Sequence, residues 1–166
     1  MKSSVPLLLL LIIQYIQSSV SATDLEVTIV EGPKGCSKED EVLKGKEISV
    51  NFNATIDESS ETGEKGLFID STYRGSGLFN FTIGVGEVMP GWDEGMLYLC
   101  EGAKAILVIP PELAYKDVGD GYSIPPGATL RFEIGELFMK SEDDFIFMYK
   151  FQLQFCENFV LHSTQN

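Results

Sequence analysis

The side chains on which most enzymes rely are sparse in this chain. The one histidine, His162, stands four residues from the end, so a histidine base or relay inside a folded core is excluded. Three scattered cysteines, Cys36, Cys100 and Cys156, together with that histidine do not make the clustered ligand set that zinc requires. No P-loop is present, and Gly84-Val85-Gly86 lacks the third glycine of a dinucleotide fingerprint. Asp117 and Asp120 share a loop but lack the spacing of a calcium-binding loop. Asp93 and Glu94 are adjacent, and neighbours on a helix point apart, so they read as helix-capping carboxylates and not as an acid pair. No metal or resident cofactor is expected. What remains is apolar: Phe52, Phe79, Phe81, Trp92, Tyr115 and Phe132, with Val88, Met89 and Ile124. Such residues either fill a core or line a pocket that grips an apolar group, and their spacing alone does not choose.

The elements that must position them are legible from periodicity. Between Lys46 and Ile56, Ile48, Val50, Phe52, Ala54 and Ile56 alternate with polar residues, the pattern of a half-buried strand. Glu58 to Gly66 reads as a loop, Leu67 to Asp70 as a short strand, and Gly75 to Gly77 as a turn. Leu78 to Ile83 alternates again, with Phe79, Phe81 and Ile83 expected inward. Trp92, Met96 and Leu99 fall at i, i+4 and i+7 and predict one short helix from Pro90 to Leu99, with Pro90 suited to its first turn. Ala105 to Ile109 is a strand stopped by Pro110-Pro111, Lys116 to Gly127 is a loop, and Leu130, Phe132 and Ile134 mark a last strand. Antiparallel-type strands with one helix make an α+β domain.

The full chain has 166 residues, with 12 Lys and Arg against 25 Asp and Glu, hence a formal charge of −13. So acidic a chain repels phosphate, and no nucleic-acid partner is expected. Met1-Lys2, the apolar run Val5 to Ile13 and the small residues Val20-Ser21-Ala22 form an export signal, with cleavage expected after Ala22. Gln14 interrupts the run well short of the roughly 20 apolar residues that a membrane span needs. The expected organisation is therefore a signal peptide over 1–22, a folded domain over 23–139 and an extension over 140–166. In that extension Phe145, Phe147, Tyr149, Phe151, Leu153 and Phe155 alternate at the period of a strand. Export makes Cys36 and Cys100 candidates for a disulfide, buried thiols being the alternative, and leaves Cys156 odd. It also gives meaning to two glycosylation triplets, Asn53-Ala54-Thr55 and Asn80-Phe81-Thr82.

Longer motifs carry a resemblance. The stretches Ile69-Asp70-Ser71-Thr72, Phe79-Asn80-Phe81-Thr82-Ile83-Gly84 and Gly86-Glu87-Val88-Met89-Pro90-Gly91-Trp92-Asp93-Glu94-Gly95 occur in order. They are followed by Cys100-Glu101-Gly102-Ala103-Lys104, by Ile109 to Tyr115, and by Ile124-Pro125-Pro126-Gly127 to Phe132. From Gly45 to Leu137 the chain resembles the FKBP-type peptidyl-prolyl cis-trans isomerases, and its paired cysteines resemble the secretory branch of that family. The resemblance implies a curved five- or six-stranded antiparallel sheet wrapped around the short helix. It implies an isomerase acting on proline-containing polypeptides, working as a monomer without a transmembrane span, and a pocket for the macrolides tacrolimus and rapamycin. It also makes the absent acids and bases intelligible. Isomerisation breaks no sigma bond; the barrier is an amide rotation of about 18–20 kcal/mol. A site lowers it by preferring the twisted amide over either planar form.

Carried over by position, Trp92 would floor the pocket, with Phe79, Val88, Met89 and Phe132 as walls and Phe52 and Ile124 beside them. The Met89 N–H and the Tyr115 hydroxyl would hold substrate carbonyls, and Asp70 would be a polar contact. The departures are Phe52 where the family usually has Tyr, Ile69 where Phe is usual, Gly75 for a frequent Arg, and Lys116 where Gly is common, a change expected to reshape its loop. Three readings follow: a prolyl isomerase assisting folding of exported proteins; a non-catalytic binding module or chaperone of the same fold with a weakened pocket; and an interaction protein whose Phe-rich extension is the working part. The C-terminal Ser163-Thr164-Gln165-Asn166 is no KDEL-type signal, so the expected location divides between the endoplasmic reticulum lumen and the cell exterior.

Overall fold

The computed structural model describes residues 24–75 and 77–140. The expected export signal, the Phe145–Phe155 alternation, Cys156 and His162 lie outside the described residues. Six strands form one antiparallel sheet: β1 (Glu26–Glu31), β2 (Glu47–Ile56), β3 (Phe68–Ser71), β4 (Phe79–Thr82), β5 (Lys104–Ile109) and β6 (Leu130–Met139). Among the described residues a single α-helix, α1, spans Pro90–Gly95. The strand order is β1-β5-β6-β2-β3, and β4 also pairs with β2. The two short strands share one edge of β2 end to end. β4 faces Glu47 to Val50, and β3 faces Asn53 to Thr55.

The central strands are the ones whose alternation is cleanest. On β2, Ile48, Val50, Phe52, Ala54 and Ile56 are all buried on the concave face. Facing them across the sheet are Leu130, Phe132, Ile134 and Leu137 of β6 and Ala105, Leu107 and Ile109 of β5. Helix α1 lies on this face through Trp92, with Met96 and Leu99 following it into the core. Gly91 and Gly95 make the close approach possible: a Cβ on the first would collide with Ile109, and one on the second with Leu107. Glycine is costly inside a helix, and here the fit to β5 requires it.

Three sequence expectations need correction. The helix ends at Gly95, not Leu99. The chain turns there because Tyr98, at φ 66°, sends its N–H to the Val42 carbonyl, and the Leu99 carbonyl accepts from Val42 N–H. The last strand continues past Ile134 to Met139. A bulge sets Asn51 against two residues, Gly135 and Glu136, so both Ile134 and Leu137 point inward although they are three apart. Phe79 does not enter the core: it is 41% exposed, at the rim of the concave face, whereas Phe81 and Ile83 are buried. Strand β1 was not expected at all from periodicity, because of its six residues none is buried.

Cys36 and Cys100 form a disulfide with Cα atoms 5.9 Å apart. It ties the connection before β2 to the segment after α1, beside a bridge between Glu41 and Cys100. Among the described residues no helix is long and apolar enough to cross a membrane.

Candidate functional site

The concave face opens into a cavity of about 570 Å³. Every position carried over from the motifs lines it: Phe52, Ile69, Asp70, Phe79, Val88, Met89, Trp92, Tyr115, Ile124 and Phe132. They come from β2, β3, β4, the β4–α1 connection, α1, the β5–β6 loop and β6, so only the folded sheet brings them together.

Trp92 lies at the bottom, 3% exposed. Four phenyl rings surround it, with centroids 5.1 Å (Phe52), 5.2 Å (Phe132), 5.4 Å (Phe81) and 5.7 Å (Phe79) away. Phe52, Phe79 and Phe132 stand nearly perpendicular to the indole, the edge-to-face arrangement that aromatic quadrupoles favour. The Trp92 Nε1–H is buried and meets no acceptor among the described residues. An unpaired buried donor of this kind costs about 1–3 kcal/mol, which an incoming oxygen in reach of it would recover.

Backbone chemistry fixes the walls. Phe52 sits where β4 has ended on its strand edge and β3 has not yet begun, so its N–H has no ladder partner and donates to Thr72 Oγ1 at 2.9 Å. Thr72 opens a 3₁₀ turn that Ser71 caps by accepting the Tyr73 N–H. The β4–α1 connection is pinned twice. Asp93 accepts the N–H groups of Gly84 at 2.7 Å and Gly86 at 2.8 Å, while Glu87 accepts the Thr82 N–H at 2.8 Å. Asp93 thus anchors the preceding loop, and the Met89 carbonyl receives the first helical N–H groups, from Trp92 and Asp93. The Met89 N–H makes no hydrogen bond among the described residues and stays available at the cavity wall.

The β5–β6 loop is equally constrained. Lys116 adopts φ 53°, its N–H donates to the Pro111 carbonyl and its own carbonyl accepts from Gly127 N–H, both at 2.7 Å. Lys116 thus takes the left-handed geometry that glycine favours, fixed by both hydrogen bonds. Asp120 Oδ1 accepts from the N–H groups of Tyr122, Ser123 and Ile124, and Oδ2 from the Ser123 hydroxyl. Burial opposes its charge, but the donors of Ile124, Tyr122 and Ser123 outweigh that and hold its carboxyl below the ordinary 3.8. The Tyr115 hydroxyl, on a half-exposed ring, has no partner among the described residues.

Asp70 accepts the N–H of Ser71 at 2.7 Å and has no ion-pair partner among the described residues. Arg74, adjacent to the position where the resemblance expects Arg, stacks on Phe68 with 4.0 Å to the ring centroid. Motif reasoning did not assign Ala54, Glu87, Asp120 and Ser123, which also line the cavity. The signal for two of them was present: an Asp three residues before a Ser in a Gly-rich loop is an Asx cage. The two glycosylation triplets differ. Asn80 is exposed on β4 and accepts from Ser49 Oγ, whereas Asn53 is half-buried on β2 between β3 and β6 and accepts from Ser71 Oγ.

The family model described as FKBP-type peptidyl-prolyl cis-trans isomerase matches residues 38–137, which spans the cavity and both loops that wall it. The chain belongs to the FKBP-type isomerase family. FK506-binding protein 2B of Rhizopus delemar is 45% identical to it over 96 residues, 58% of this chain and 43% of that protein. Peptidyl-prolyl cis-trans isomerase FKBP15-1 of Arabidopsis thaliana is 34% identical over 127 residues, 76% of this chain and 77% of that one. Among solved structures, the crystal structure of AtFKBP13 superposes with a TM-score of 0.58 and 33% identity, covering 71% of this chain and 94% of that one. The isomerase fold and class expected from the motifs hold, as does the Cys36–Cys100 disulfide.

Proposed function

We propose that this FKBP-type domain is a working prolyl isomerase of the secretory pathway that seats X-Pro segments of exported polypeptides in the cavity floored by Trp92. The observation that carries the reading is convergence: ten residues from seven parts of the chain line one cavity around a buried indole. In this reading the proline ring packs on Trp92 between Phe79, Val88 and Phe132. The Met89 N–H and the Tyr115 hydroxyl accept the role of donors to substrate carbonyls, and the apolar walls favour the twisted amide, whose carbonyl and nitrogen have lost their resonance dipole. Asp70 orients and does not exchange protons. Tacrolimus and rapamycin are the expected macrolide ligands of the same cavity. The disulfide supports an oxidising compartment, lumenal or extracellular.

The test is isomerisation of a short X-Pro peptide by the disulfide-bonded protein, compared with Trp92→Ala and Tyr115→Phe. Rates well above the uncatalysed exchange, which takes roughly 10–100 s, and lowered by each substitution, support the reading. A second reading, binding without turnover, draws on Phe52 and Ile69: the buried Phe52 ring carries no hydroxyl toward Asp70, and Ile69 offers no ring to the amide. Peptide binding without acceleration by a folded protein would favour it.

A further inference from the structure

The convex face of the sheet lies opposite the Trp92 cavity and takes no part in it. There Asn80 of β4, Ser49 of β2 and Phe138 of β6 stand in one cross-strand row, Ser49 being paired with both of the others. Their chain neighbours Phe81, Ile48 and Leu137 point into the core, so the row itself faces outward. Asn80 is exposed, the small Ser49 is half-buried, and Phe138 leaves 40% of its surface in water. A second exposed ring lies one row along. Tyr73, 59% exposed, reaches from the edge of β2 to Gly135 of β6, where a Cβ would collide with the tyrosine hydroxyl and lie 3.3 Å from the Asn51 Cβ. Gly135 is thus what lets this side chain lie across the sheet beside Asn51, which is two residues and about 7 Å along β2 from Ser49. The Ser49 hydroxyl donates to Asn80 Oδ1 at 2.6 Å. An amide whose oxygen is held in this way turns its nitrogen away from the sheet. Asn80 opens the triplet Asn80-Phe81-Thr82, and that nitrogen is the atom glycosylated in an exported chain.

We propose that an N-linked glycan on Asn80 folds back over Ser49 and packs its first two sugars on the rings of Phe138 and Tyr73, so that a carbohydrate is the partner of this sheet face. The inference rests on the secretory-pathway reading. Transfer from a polyprenyl-diphosphate oligosaccharide donor joins Asn80 Nδ2 to C1 of the first N-acetylglucosamine. The bond from C1 to the diphosphate oxygen breaks, the diphosphate leaves with the electron pair, and the amide nitrogen gives up one proton. Neighbouring strands are about 5 Å apart, so Phe138 stands about 10 Å from Asn80, within the reach of two sugars. A pyranose presents a face of C–H groups, and the negative face of an aromatic ring attracts them. Covering about 50 Å² of apolar surface in this way favours the folded state about five- to tenfold.

The experiment expresses the full chain in a eukaryotic secretory host and compares it with Asn80→Gln, each with and without the pair Phe138→Ser and Tyr73→Ser. Mass before and after enzymatic deglycosylation locates the glycan, and urea denaturation reads the folding constant. The expected result is a glycan on Asn80 and a folding constant about five- to tenfold above that of Asn80→Gln, an advantage lost when both rings are replaced. Should the serine pair fail to fold, Phe138→Leu and Tyr73→Leu keep apolar bulk without a ring. A second readout needs no variant: the ring protons of the first two sugars should resonate upfield of those on an unfolded glycopeptide, displaced by the aromatic ring currents. Sugar protons that show no such displacement would overturn the inference, and so would a glycan that stabilises equally with and without the rings. Dimers of Asn80→Gln that Phe138→Ser disperses would also overturn it, assigning the face to a second copy. A translocated chain with Asn80 unmodified sinks this inference and leaves the secretory reading standing, whereas a chain that is never translocated sinks both.

Discussion

Lys116 holds, with a side chain, a backbone conformation that glycine favours. Its φ of 53° lies in the left-handed region, and both its N–H and its carbonyl are hydrogen-bonded, so the loop cannot relax away from it. Lys116→Gly is expected to stabilise the protein by about 1 kcal/mol, the cost of a Cβ in that conformation, read as a higher denaturation midpoint in urea. Asp120 carries a pH dependence whose sign follows from its donors. Its carboxyl is held below 3.8, so its contribution to loop order is complete above that value and is lost as pH falls through the lower, folded-state value. The Ile124 amide shift should titrate with a midpoint below 3.8, and Asp120→Asn, which keeps the Oδ1 acceptor, should remove the titration. Of the two glycosylation triplets, Asn80 is the expected acceptor in secreted protein: Asn80→Gln should remove the glycan by mass, and Asn53→Gln should not. The cavity residues were readable because motif order survived intact. Asp120 and Glu87 were not assigned, because a carboxylate holding backbone N–H groups leaves no periodic trace.

At the scale of elements, the strands that alternate strictly are those whose one face meets the core, and β2 needed no correction beyond one residue at its start. The elements that escaped are those in which another force overrides periodicity. Strand β1 is held mainly by its ladder to β5, with Ile29 alone partly buried against the core. Strand β6 hides its continuation behind the bulge at Gly135-Glu136. Helix α1 is shorter than its spacing because backbone bonds to Val42 turn the chain. The glycines of α1 are dictated by contact: Gly95→Ala should push α1 off Leu107 and cost about 1–3 kcal/mol, despite alanine's better helix propensity. A gain in thermal stability would show that α1 rides less closely on β5 than the structure has it. Because Trp92 lies on the same helix, the variant should also lose activity more than a stability loss alone explains.

Across the described residues, one curved sheet folded over one helix gathers distant segments onto a single indole, and a disulfide secures the arrangement. The bridge closes a span of 64 residues, and in the chain-entropy model a loop of that size stabilises by roughly 4 kcal/mol. Reduction should therefore lower the urea midpoint sharply without changing the folded architecture, checked by denaturation with and without dithiothreitol. Catalysis of amide rotation in the Trp92 cavity is tested most directly by magnetisation exchange between the cis and trans forms of an X-Pro tetrapeptide. With a catalytic amount of the disulfide-bonded protein, exchange should become fast enough to observe and should vanish on adding one equivalent of tacrolimus, while the fluorescence of Trp92, the sole tryptophan, changes in step. Exchange that stays at the uncatalysed rate, or that persists with the macrolide bound at Trp92, would show that this cavity does not catalyse the rotation.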